Sequence, residues 1–323
     1  MNLGFFKFQP YLKSVLWGGE RIAKYKGIVT DQKQIGESWE ISGVTGRESV
    51  VCEGADLGLT IVELIRKYKG ALVGAPIYAK YGDTFPILVK FLDAREDLSL
   101  QVHPNDTIAK NRHNCLGKTE MWFIIDTLEN SKINIGFSQP ISPKEYEMRV
   151  ANNTIMDVVT CHNSRPGDMI YIPAGRIHSL GAGNLVAEVQ TTCDITYRVY
   201  DFNRRDAQGN TRELHTELAK TAIDYTVLDS YVTTCNSDNV CETKLVECDG
   251  FNSSRIIVDG EHEILSPDAQ SFRIIMCLKG NVEINDDKGN NTTLRQGETV
   301  LVPACTAKLQ LKGNAQLITA TAL

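Results

Sequence analysis

The sequence predicts a mainly β protein with helical insertions, built as two related β-barrels, the first carrying chemistry and the second structural. Three observations carry this. Short runs alternate apolar and polar residues with the two-residue period of a strand, as in residues 98–106, LSLQVHPND. Helical patterns are confined to the first 225 residues. An internal repeat joins the halves: Arg165, Gly167, Pro173 and Ala174 recur at the same spacing as Arg295, Gly297, Pro303 and Ala304, across an apolar strand in each copy. Where the first copy continues to Gly175 and His178, the second has Cys305 and Lys308, so it keeps the scaffold and loses a ligand.

At 323 residues the length suggests about two domains, at roughly 150 residues each. A mostly polar stretch at about 230–239 reads as a linker, giving domains 1–235 and 236–323. With 42% hydrophobic and 23% charged residues, the chain can bury a core. A net charge of −6, a pI of about 5.6 and the lack of a basic run argue against nucleic-acid or membrane-surface partners. An anionic substrate must then be held by a few placed cations. The N-terminus lacks the charged and apolar regions of a signal peptide, and no apolar run is long enough to span a bilayer. The nine cysteines include no CxxC pair, and Cys235, Cys241 and Cys248 lack metal-site spacing. They read as reduced thiols of a cytoplasmic protein.

Taken in order, residues 15–19 form a short apolar piece ending in a glycine turn, and residues 35–42 a strand. Glu37 and Glu40 there are expected to face solvent, the commoner fate of carboxylates. Thr60 and Glu63 make a capping box for a helix over 60–73, with Ile61, Leu64, Ile65, Tyr68 and Leu72 as its stripe. Residues 85–93 are an apolar strand, interrupted by Lys90, which snorkels or pairs. Glu120 heads a strand to Ile125; Ser142, Pro143 and Glu145 open a helix with a capping box. Residues 169–172 form a strand between turns at Gly167 and Gly175. In the next two strands, Val186, Glu188 and Gln190 share a face, as do Thr196, Arg198 and Tyr200. Residues 216–225 are helical, and the remainder is short strands punctuated by Asp-Gly, Lys-Gly and Asn-Asp turns.

Residues 98–106 stand out. Leu98, Leu100 and Val102 fall on one face; Ser99, Gln101 and His103 fall on the other. Alone, that polar face reads equally as a wet strand face or as a set of ligands. His103, Glu120 and His178, from three strands or strand ends, tip the balance. Two histidines, a carboxylate and the Gln101 amide suit a divalent ion and leave a position open. With one anionic ligand, the ion keeps positive charge and acts as a Lewis acid. His113, His162, His215 and His262 lie in polar or capping contexts and read as surface residues. Lys118, Arg198 and Arg204 are the nearby cations; arginine suits a bidentate hold on an oxyanion.

Residues 89–94 and 98–106, Gly117-Lys-Thr-Glu-Met-Trp122, Pro173-Ala-Gly-Arg-Ile-His178 and Tyr197-Arg-Val-Tyr-Asp-Phe202 together resemble the type I mannose-6-phosphate isomerases (phosphomannose isomerases), in their short bacterial branch. The resemblance covers most of the chain. It implies cupin-type jelly-roll barrels, the second degenerate, and one zinc per chain held by Gln101, His103, Glu120 and His178. It implies that Arg198 is an essential arginine and that Ser99, Lys118, Glu188 and Arg204 belong to the substrate pocket. The reaction implied is interconversion of mannose 6-phosphate and fructose 6-phosphate through an enediol(ate), by proton transfer between C1 and C2. Glu188 is the favoured base, with Lys118 or a metal-bound water as rivals. Phosphate falls to Lys118 or Arg204. Two departures from the general cupin pattern are an inserted turn before Glu120 and an asparagine displaced to Asn184. Two other classes fit the same residues: a ferrous oxygenase, which the ligands suit, and a non-catalytic sugar-phosphate sensor. Oligomeric state is not legible.

Overall fold

Seven strands form one antiparallel sheet, in the order Tyr11–Gly19, Ile35–Ile41, Ile87–Asp93, Asn184–Thr191, Glu120–Thr127, Asp168–Ile172 and Val232–Thr234. The computed structural model describes residues 2–205, 208–234, 241–266, 268 and 270–323. Tyr197–Tyr200, Leu100–Val102, His178–Leu180, Lys132–Phe137 and Val159–Asn163 make a second sheet, also in spatial order. Its Ile133, Ile135 and Leu180 pack with Trp17, Leu92, Trp122 and Ile170 of the first sheet, filling the space between the two. The inner strands Ile35–Ile41, Ile87–Asp93 and Asn184–Thr191 are buried on both faces almost throughout. On Glu120–Thr127, Trp122 and Ile124 point between the sheets while Met121 and Phe123 point outward. The same alternation puts Val186 inside and Ala187 and Val189 outside.

The outer apolar face is covered from two directions. The helix Ile61–Tyr68 brings Ile61, Leu64 and Ile65, and a third sheet brings Phe251, Phe272, Ile274 and Met276. Phe85 and Phe272 meet with ring centroids 4.6 Å apart. The expected capping box is present, with Thr60 Oγ1 accepting from Glu63 N and Glu63 Oε2 accepting from Thr60 N. The expected single helix over 60–73 is broken, however. Lys69 has φ 49°, and a separate turn, Gly70–Val73, follows. The break aims the Ala71 and Leu72 carbonyls at the N–H groups of Cys305 and Ala304, 3.1 and 2.8 Å away. At Pro143–Ala151 only half the expected box forms: Ser142 accepts from Glu145 N, while the Glu145 carboxylate pairs with Arg149.

The third sheet runs Glu242–Glu247, Phe251–Leu265, Lys308–Ala322, Arg273–Asp286 and Asn291–Arg295, with Thr299–Val302 also on Arg273–Asp286. Three of its strands are short as expected, at 6, 5 and 4 residues, with Asp249-Gly250 and Lys288-Gly289 in turns between strands, but the other three run 14 or 15 residues. Asp259-Gly260 and Lys279-Gly280 do not end strands; they sit inside them, with both glycines at positive φ. Glycine there bends a continuous strand rather than closing a hairpin. The two repeat copies match bond for bond. Asp168 N donates to Arg165 O and Arg176 N to Pro173 O; Glu298 N donates to Arg295 O and Thr306 N to Pro303 O. Gly167 and Gly297 both take positive φ.

Several boundaries shift. Val232–Thr234, inside the expected linker, pairs with Asp168–Ile172. The boundary at 235/236, Cys235 and the linker from residue 235 on lie outside the described residues. The extreme N-terminus leaves the first half: Phe6 exchanges backbone hydrogen bonds with Leu301, at 3.0 and 2.9 Å. Leu98 packs between the sheets with Trp17 and Trp122, apart from Leu100 and Val102, because the strand begins only at Leu100. A bulge between Arg198 and Tyr200 sets Tyr200 against Leu100, off the face of Thr196 and Arg198. No described helix is long and apolar enough to cross a membrane.

One substitution tests the bent-strand reading. Gly280 has φ 77°, and a Cβ there would collide with the Asn314 carbonyl oxygen of the paired strand. Gly280→Ala is expected to lower stability by about 3 kcal/mol, read as a lower denaturant midpoint. An unchanged midpoint would show that the bend does not need glycine.

Candidate metal centre and active-site cavity

Strand pairing builds the centre. Gln101 lies opposite His178, Glu120 opposite Gln190, and Arg198 opposite Gln101. The turn at Gly175, with φ 89°, lets its N–H donate to the His103 carbonyl at 2.9 Å, tying the two histidine segments together. Ligand atoms of His103, Glu120 and His178 all lie within 4.8 Å of one another, and none of the three residues is more than 1% exposed.

The ring protons are fixed by what surrounds them. His103 Nδ1 donates to the Ile195 carbonyl at 3.0 Å, and His178 Nδ1 to the Arg176 carbonyl at 2.8 Å. In a neutral ring that leaves each Nε2 as a lone pair. They lie 3.5 and 3.1 Å from Glu120 Oε1. Among the described residues His103 Nε2 has no hydrogen-bond partner. Three electron-pair donors thus face one another in a dry place with no proton between them, which is unfavourable unless a cation joins them. Burial, then the Lys118 ammonium, pushes His103 down to about 3, so it stays neutral. Burial resists ionisation of Glu120, but the Lys118 ammonium outweighs it and holds the carboxyl well below the usual range. Neutral imidazoles and a carboxylate are the donors a divalent metal takes, each imidazole held through its other nitrogen. The Gln101 amide lies 3.2 Å from His178 Nε2, and a turn about its last torsion presents oxygen instead of nitrogen.

Directly beside these ligands opens a cavity of about 180 Å³. Ser99, Gln101, Lys118, Glu188 and Arg198, all expected at the site, line it. Lys118 Nζ sits 2.9 Å from Glu120 Oε2, linking cavity to centre. Glu188 accepts from Trp122 Nε1 at 3.0 Å and faces Lys90 Nζ at 3.1 Å. The Arg198 guanidinium donates Nη1 to the Glu213 carbonyl at 2.7 Å, while its buried Nε has no partner among the described residues. Burial and the neighbouring Arg212 push the Arg198 guanidinium down from its ordinary value. Arg204 is not among the lining residues. Its guanidinium holds Asp201 at 2.5 Å and the Asp97 carbonyl, and Asp201 in turn holds Arg212, which does line the cavity. His113, His162 and His215 bond instead to Tyr197 OH, Asp168 and the Arg198 backbone.

The sequence reading missed a charged chain in the wall of the cavity. Lys90 bridges Glu188 and Glu37, at 3.1 and 3.5 Å; Lys13 adds a contact to Glu37 at 3.0 Å, and Trp39 Nε1 donates to it at 2.7 Å. Glu37 and Glu40 are buried, not solvent-facing as expected, because lysines reach both: Lys26 Nζ lies 2.6 Å from Glu40. A lysine inside an otherwise apolar strand, and carboxylates alternating beside a tryptophan, were the available signals. Asn184, the displaced asparagine, accepts from Ser164 Oγ and donates to the Lys132 and Gly181 carbonyls, a structural role.

The fold and site define a two-barrel protein whose first barrel encloses a cation-ready centre of two histidines and one carboxylate under a charged cavity. The chain belongs to the type I phosphomannose isomerase family. Residues 5–122 match the phosphomannose isomerase type I catalytic domain, and residues 241–322 the mannose-6-phosphate isomerase cupin domain. It is 33% identical to the putative mannose-6-phosphate isomerase YvyI and 31% identical to the mannose-6-phosphate isomerase ManA, both of Bacillus subtilis, with 96% of each chain covered. A crystal structure of the mannose 6-phosphate isomerase from Bacillus subtilis superposes with a TM-score of 0.87 at 30% identity, covering 98% of this chain and 99% of that one.

The charged chain has a pH signature. Burial pushes Glu37 up, but Lys90, Lys13 and the Trp39 N–H outweigh it and bring it down to about 2. Its ionised form therefore contributes stability that is present above about 4.5 and lost as pH falls toward 2, worth about 3 kcal/mol. Glu37→Gln is expected to flatten the acid limb of stability against pH over that window. An acid limb identical to wild type would contradict the pairing.

Proposed function

We propose that the chain is a zinc-dependent aldose–ketose isomerase of the cytoplasm that interconverts mannose 6-phosphate and fructose 6-phosphate through an enediolate. The observation that carries this is the trio of proton-free donors, His103 Nε2, His178 Nε2 and Glu120, beside a cavity holding both Arg198 and a buried carboxylate, Glu188. The family and the names of the relatives support the substrate.

His103, Glu120, His178 and Gln101 hold one zinc ion, which suits this chemistry because no redox change is needed. A bound ion supplies a Lewis acid that lowers the cost of negative charge on a substrate oxygen. The remaining work falls to side chains. Glu188 takes the proton from C2 of the aldose and returns it to C1. Lys118 donates to the sugar oxygens and moves the accompanying hydroxyl proton. Arg198, with its buried Nε unpaired among the described residues, steadies the oxyanion of the enediolate. Ser99 and Arg212 face the phosphate, and Arg204 orients Arg212 through Asp201. The buried lysines and tryptophans that grip Glu188 and Glu37 keep both carboxylates fixed while charge moves.

Two measurements check this. Turnover of mannose 6-phosphate is expected to vanish with chelator and return with zinc; a folded, zinc-loaded sample without turnover would sink the isomerase reading. Arg198→Ala is expected to lower kcat by about 100-fold or more with zinc content unchanged. Equal loss of zinc in that variant would make Arg198 structural.

A further inference from the structure

On the other side of the loop at residues 192–196 lies a second, larger cavity, of about 610 Å³. Two thiols line it, Cys115 and Cys193, and their sulfurs are 4.0 Å apart although 78 residues separate them in sequence. Both belong to loops that feed the centre. Cys115 precedes Lys118 and Glu120; Cys193 precedes Asp194, which lines both cavities. Cys193 is 3% exposed, while Cys115 is only partly buried and is the one a small solute in the cavity meets. Neither thiol enters the proposed isomerisation.

The contacts around Cys193 lead to the ligands. The Ile195 N–H donates to Cys193 Sγ at 3.4 Å, and the Ile195 carbonyl accepts from His103 Nδ1 at 3.0 Å. One peptide segment thus spans from the thiol pair to a metal-facing imidazole. A disulfide needs its sulfurs about 2.05 Å apart, so closure draws the Cys193 sulfur toward Cys115 and away from the Ile195 N–H. The partner of a ligand's second nitrogen sets ring orientation and basicity.

We propose that Cys115 and Cys193 are a reversible redox pair that, on oxidation by a hydroperoxide, loosens the support of His103 and weakens the metal centre; this rests on the metal reading above. The Cys115 thiolate attacks the peroxide, the O–O bond breaks, and the sulfur is oxidised to sulfenic acid as hydroxide leaves. The Cys193 sulfur then attacks Cys115, the S–O bond breaks, the S–S bond forms, and a second hydroxide departs. With the two thiol protons, the products are one disulfide and two waters per hydrogen peroxide. A dithiol reductant reverses the step.

The test treats the full-length, zinc-loaded protein with hydrogen peroxide. Peptides from a non-reducing digest are read by mass spectrometry, and the rate of zinc release to a chromophoric chelator is followed. A link between the Cys115 and Cys193 peptides, with zinc release about 10-fold faster and reversed by dithiothreitol, is the expected result. Cys115→Ser is expected to release zinc at the untreated rate after peroxide. The proposal is overturned if those peptides stay unlinked, if the link forms without changing zinc release, or if the serine variant still responds to peroxide as wild type does. None of these readouts needs sugar turnover, so an inactive but zinc-binding protein leaves the test intact.

Discussion

Two imidazoles and a carboxylate meet at the head of the first barrel with no proton to share, and much of the surrounding structure serves that arrangement. Burying acceptors against one another is tolerable only where charge is balanced nearby. The protein supplies that balance in alternation. Lys118 faces Glu120, Lys90 faces Glu188 and Glu37, and Lys13 closes the row. Trp122 and Trp39 each give an indole N–H to a carboxylate, so their bulk fills the barrel while their polar edges satisfy it. The result is a set of charges that need not reorganise when a substrate's charge shifts.

The second barrel shows what the scaffold is without the ligands. Its turn at Gly297 and Pro303 repeats the hydrogen bonds of the turn at Gly167 and Pro173, yet Lys308 stands where the first copy has His178. Instead of supporting a ligand, this turn receives the Ala71 and Leu72 carbonyls of the helical insertion. Shared aromatic packing of Phe85 on Phe272 extends the same contact, so the second barrel covers the outer face of the sheet that carries Glu120 and Glu188.

The strand at 184–191 and its faces were legible because Val186, Glu188 and Gln190 keep a two-residue period; the run after Glu120 is apolar on both sides, so only its strand character could be read. The ligand trio was legible because histidine and glutamate at turn-framed strand ends have few structural uses. What escaped depends on long-range pairing. Carboxylates alternating beside Trp39 in IGESWEI hint at burial, but nothing local says that Lys13 and Lys90 will reach Glu37 from neighbouring strands. Asp-Gly and Lys-Gly dipeptides signal turns, but positive φ serves equally well to bend a long strand, and the partner strand decides which. Arg204 and Arg212 are chemically alike; only Asp201, placed between them, determines which one reaches the cavity. The bulge beyond Arg198 likewise turned Tyr200 away from a face that simple alternation had given it.

Membership of the type I phosphomannose isomerase family, the buried donor set and the cation-lined cavity support the proposed chemistry, proton transfer beside a carbonyl with the developing charge held on oxygen. The central claim is the ligand set, and X-ray absorption at the zinc edge of protein loaded with one equivalent of zinc tests it most directly. The account predicts two imidazole nitrogens and oxygen ligands at about 2.0–2.1 Å, with no sulfur. A sulfur shell near 2.3 Å, or fewer than two imidazoles, would contradict it.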